Sequence, residues 1–69
     1  KLLEEERGKL ELRISDLETQ QADLSSKLSD PAIYAQKELA SQLIEEQRRL
    51  EYDLKRALSR WEEICQVLD

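Results

Sequence analysis

The sequence predicts an all-α fold, a two-helix antiparallel coiled-coil hairpin with a short helical turn at the tip. Three observations predict it. Leucines recur every seven residues at Leu3, Leu10, Leu17 and Leu24, a second such series follows at Leu43 and Leu50, and a single Asp30-Pro31 break separates them. With charged and hydrophobic residues each at 39%, one Gly and no Phe, the chain has the balance of long helices rather than of a sheet. Its 69 residues hold one domain, too small to enclose both a core and a conventional pocket.

The first helix is expected over about residues 1–28. Taking its leucines as heptad position d places Arg7, Ile14, Gln21 and Leu28 at a. The chain turns over about 29–36. Asp30 suits an N-cap, because its carboxylate accepts a backbone N–H of the next turn, and Pro31 suits the first helical position, where a missing donor costs nothing. Proline also disfavours helical geometry at Asp30, so the helix is expected to break here. Ile33 and Tyr34 are expected to close the tip.

The second long helix is expected over about 37–68, with Leu43, Leu50, Ala57 and Ile64 at d and Ala40, Gln47, Leu54, Trp61 and Leu68 at a. One antiparallel register fits the whole length: Leu28 beside Leu43, Leu24 beside Gln47, Gln21 beside Leu50, Leu17 beside Leu54, Ile14 beside Ala57, Leu10 beside Trp61 and Leu3 beside Leu68. Trp61 is expected to anchor the open end as its largest packing contributor. Each arm would run about 40 Å at 1.5 Å per residue. Glu5 to Lys9, Asp23 to Lys27, Glu45 to Arg49 and Glu51 to Lys55 set acid before base at the favourable i,i+4 spacing.

Composition narrows the function classes. There is no His and only one Cys, so a zinc site or a Cys/His nucleophile lacks its residues, and a single Gly leaves no phosphate-binding loop. The fragment is expected to be non-catalytic, with no small-molecule substrate and no metal. No apolar run approaches the roughly 20 residues of a membrane span, and the lone Cys65 forms no internal disulfide. A cytoplasmic setting without membrane contact is expected. The sequence opens within a helical pattern without Met or a targeting segment, and reads as a fragment of a larger protein.

The stretch Leu28-Ser29-Asp30-Pro31-Ala32-Ile33-Tyr34, followed by Arg60-Trp61-Glu62-Glu63-Ile64, resembles the C-terminal domain of ABC-F ATPases of the Uup type. In that family a leucine-rich helix enters a Leu-x-Asp-Pro-x-x-Tyr turn and the returning helix ends in an Arg-Trp-x-Glu-Leu-like motif. Ile64 stands here for the last leucine. The resemblance implies a parent protein with two ATP-binding cassettes, using ATP and magnesium, and a C-terminal hairpin that assists the ATPase core and contacts nucleic acid, DNA or ribosomal RNA.

Two surfaces are candidates for contact. Arg48, Arg49, Tyr52, Lys55 and Arg56 fall at b, c and f of the second helix, a basic outward face on which cations meet phosphates and Tyr52 stacks on a base. The competing reading is that neighbouring glutamates satisfy these cations and Tyr52 packs on Arg56. The net charge of −5 also weighs against nucleic acid. Ile44, Leu58 and Cys65 fall at e and widen the apolar stripe, which suits protein docking on the parent ATPase domains, a structural role, oligomerisation, or cover for the flank. Arg60 either extends the basic face or pairs with Glu6.

Overall fold

A computed structural model describes residues 1–68; Asp69, inside the expected domain span, lies outside the described residues. Helix α1 spans Leu2–Leu28, α2 spans Pro31–Tyr34 and α3 spans Lys37–Leu68. The long helices pack on each other as a rod of 50 × 14 × 14 Å, the hairpin the heptads predict.

Each end of the turn is closed by local chemistry. Helix α1 stops as the Ser29 hydroxyl donates to the Ser26 carbonyl at 2.7 Å and the Asp30 N–H to the Lys27 carbonyl at 3.1 Å, so the last carbonyls are not left bare. Asp30 then leaves helical geometry at φ −85° and ψ 120°, and its Oδ1 accepts from the Ala32 N–H at 3.0 Å. This is the expected N-cap, with Pro31 at the first helical position. The Ala40 N–H donates to the Gln36 carbonyl at 2.9 Å and starts α3.

The core is one thin seam. Leu17, Leu24, Leu28, Leu50 and Ala57 are buried in it, with Leu10, Ile14, Leu43, Ile44 and Leu54 half-buried against them. The predicted register is supported between Glu6 and Leu24 of α1. Leu24 shares a shallow depression with Leu43 and Leu50, on either side of Gln47, and Leu10 shares one with Ala57 and Arg60. Two cross-helix ion pairs, Glu6 with Arg60 and Arg13 with Asp53, step seven residues forward on α1 and seven back on α3. That is the progression of an antiparallel heptad ladder, and both pairs join g positions. Gly8 sits in α1 with open space around it: an added Cβ would meet nothing within 4 Å. It therefore costs about 1 kcal/mol of helix propensity without a packing return.

One expectation about an aromatic residue needs correction. Tyr34 is 55% exposed and does not close the tip; Ile33 alone turns inward. Adjacent residues on a helix point about 100° apart, and with Ile33 turned inward Tyr34 is carried round toward solvent. At the open end Trp61 is half-buried, near Ile64, the deepest side chain there at 1% exposed. The Trp61 Nε1–H is nevertheless buried without a hydrogen-bond partner, a loss of about 1–3 kcal/mol for an unsatisfied donor.

Candidate nucleic-acid interface and flanking surfaces

The outward face of α3 is built by its heptad. Residues at b, c and f point away from the seam, so Arg48, Arg49, Tyr52, Lys55 and Arg56 are all exposed, within about two and a half turns. The Arg56 guanidinium lies 5.7 Å from the centre of the Tyr52 ring, a cation–π contact. Tyr52 still presents 61% of its surface to solvent. Arg49 is drawn to Glu46 at 3.7 Å, one turn back, rather than to Glu45. Among the described residues Arg48, Lys55 and Arg56 make no ion pair. Glutamates thus compensate one of the four cations, and the tyrosine holds another without neutralising it.

The depressions next to this face, such as the one lined by Gln42, Glu45, Glu46 and Arg49, are open to solvent. They are grooves between side chains rather than enclosed pockets.

The three residues expected to widen the apolar stripe diverge. Ile44 turns inward and packs against the core, Cys65 is half-buried, and Leu58 is 38% exposed. Leu2, Leu12 and Val67 are also exposed, a feature the heptad reading overlooks because all three lie outside a, d and e. They are scattered over both helices and form no continuous stripe.

Arg60 takes the pairing role. Its Nε donates to Glu6 Oε2 at 2.7 Å and its Nη2 to Glu6 Oε1 at 2.9 Å, a bidentate fork across the seam, while Nη1 reaches Glu63 Oε2 at 3.3 Å. The Arg13 to Asp53 contact, at 4.0 Å, was also open to sequence reasoning, because the register sets both at g. The hydrogen bonds from Arg60 hold the Glu6 carboxyl below the usual carboxylate range, against a smaller desolvation effect, and the nearby positive charge adds to them. The same bonds, first to Glu6 and then to Glu63, make the Arg60 guanidinium hold its proton more tightly than usual.

The sign of the pH dependence follows. Glu6 has a depressed folded-state pKa, so its contribution is present above the unfolded-state pKa and is lost as pH falls through the folded-state value. Thermal unfolding of Glu6→Gln should therefore depend less steeply on pH than that of the parent chain as the solution is acidified from neutral through the carboxylate range. Parallel curves for the two proteins would show that the fork contributes nothing to stability.

Fold and surface together define a helical-hairpin domain whose basic candidate residues lie on the outer face of α3. Residues 3–65 match the family described as ABC transporter C-terminal domain, and the chain belongs to that family. Neither a curated protein nor a solved structure matches the chain. Among the described residues no helix is long and apolar enough to cross a membrane.

Proposed function

We propose that this hairpin is the accessory C-terminal domain of a cytoplasmic ABC-F ATPase of the Uup type, and that it contacts nucleic acid through the outer face of α3. The family match covers nearly the whole chain, and the Asp30-Pro31 turn and the Arg60-Trp61 motif point to the narrower group. The observation that carries the nucleic-acid reading is the set of uncompensated cations Arg48, Lys55 and Arg56 around an exposed Tyr52 ring. Cations along one helix face neutralise successive phosphates, and an aromatic ring among them offers a surface for base stacking. The net charge of −5 opposes approach at long range. Binding is therefore expected to be local, moderate in affinity and steeply dependent on salt.

ATP and magnesium would be held elsewhere in the parent protein. Among the described residues no group of three or more acidic or cysteine side chains is placed to hold a metal ion, and the chain has no glycine-rich loop. The part assigned to this chain is to grip and orient a polyanion near the cassettes.

Fluorescence anisotropy of labelled duplex DNA and structured RNA, titrated with the 69-residue chain over a salt series, tests the reading. Neutralising Arg48, Arg49, Lys55 and Arg56 to Gln should abolish binding, while Tyr52→Ala should weaken it by roughly tenfold, the range of one lost stacking contact. Equal binding by the parent chain and the neutralised variant would remove this face from the interface.

A further inference from the structure

The two flanks of the rod are chemically unlike. On one flank the g positions of α1 and α3 are tied across the seam by Glu6 with Arg60 and by Arg13 with Asp53. On the other flank lie the e positions. There α1 contributes Glu4, Glu11 and Glu18, seven residues apart, all exposed and, among the described residues, without an ion pair. Helix α3 contributes the partly exposed Leu58 and Cys65, and the register that the g pairs support sets Glu18 level with Leu58 and Glu11 level with Cys65. An incomplete apolar strip thus runs beside a row of carboxylates that make no ion pair among the described residues.

We propose that this flank docks a basic amphipathic helix of another protein, with Lys or Arg at heptad spacing beside a row of leucines. The carboxylates repeat about every 10.5 Å along α1, which is the heptad rise of a partner helix lying alongside. The apolar strip alone would accept any helix. The carboxylates choose among them. A second copy of this chain placed symmetrically on the flank would bring like rows of Glu4, Glu11 and Glu18 together, and such a contact is repulsive. A basic helix is also repelled from the Arg48 to Arg56 face, so the two surfaces sort ligands of opposite charge. The inference stands apart from the nucleic-acid reading, since it uses a different flank and none of the same residues.

The test uses as probe a fluorescent helical peptide of about 21 residues, long enough to hold helix alongside the hairpin, with Leu at a and d and Lys at e and g. It is titrated with the 69-residue chain at near-physiological salt. Saturable 1:1 binding is expected. Changing Glu4, Glu11 and Glu18 together to Gln should weaken it by roughly tenfold or more, whereas Asp16→Asn, Asp23→Asn and Glu38→Gln together, which remove the same charge elsewhere, should change it less than about threefold. Leu58→Ser, a single exposed change, should weaken it several-fold with helicity unchanged by circular dichroism. Equal losses in the two triple variants, or no saturable binding at all, would overturn the proposal. Nucleic-acid binding by the Glu4, Glu11 and Glu18 variant is expected to persist, so failure here leaves the α3 face to be judged separately.

Discussion

Ile64→Ala should leave most of the chain unfolded at room temperature, seen as loss of helical ellipticity and of a cooperative thermal transition. Ile64 is the most deeply buried side chain among the described residues, and it sits near the open end of the seam, where the register sets it level with Arg7. Removing such a side chain costs about 2–5 kcal/mol, from the lost transfer energy and the cavity left behind. A core in a chain this short rarely supplies more than about 3–5 kcal/mol in total. The two magnitudes are comparable, so the variant has little margin left. Val67→Ala, three residues away but 69% exposed, should stay within about 0.5 kcal/mol of the parent. A near-native melting curve for Ile64→Ala would mean that the end of the hairpin packs in another way.

The opposite sign is expected in the middle of the rod. Gln21 and Gln47 occupy seam positions and are half-buried, each level with a leucine of the other helix, Leu50 and Leu24. An amide there displaces apolar contact without closing a hydrogen bond across the seam. Changing both to Leu should add about 1 kcal/mol each, half the value of a fully buried leucine, and raise the melting temperature by roughly 10 °C in a domain of this size. The gain has a cost in specificity. Polar seam positions hold a coiled coil to one register and one partner number, so the leucine pair should also self-associate. Light scattering that finds the double variant strictly monomeric would show that the glutamines do not set the assembly state.

The hairpin and its register were legible because independent signals agree. Leucine spacing sets the faces, Asp30-Pro31 sets the turn, and matching a against d sets the alignment; the g-position ion pairs then fall where that alignment requires. Less legible was how deeply a single seam can bury a given side chain. Periodicity places Trp61 at a and Ile64 at d, both in the seam, without showing that Ile64 is the more deeply buried. Tyr34 was misplaced for a related reason, since one turn of helix has only one inward direction and Ile33 occupies it. The partner of Arg49 depends on rotamers. Glu45 and Glu46 are both within reach by spacing, and the shorter separation prevails. The candidate face was legible as a set of positions, while its uncompensated charge became visible only once the ion pairs were known.

The 50 Å length of the rod has a mechanical consequence. Both long helices have their open ends at the same end of the hairpin, so any body attached there holds it by its base. A rotation of only about 10° at that base, well within the rigid-body motions of switching proteins, would carry the tip through roughly 9 Å. The Tyr52 face, partway along the shaft, would move a few ångströms in step. Small angular changes in an attached domain would thus become displacements about the size of one nucleotide step, with the stiffness of the leucine seam deciding how faithfully the motion is transmitted.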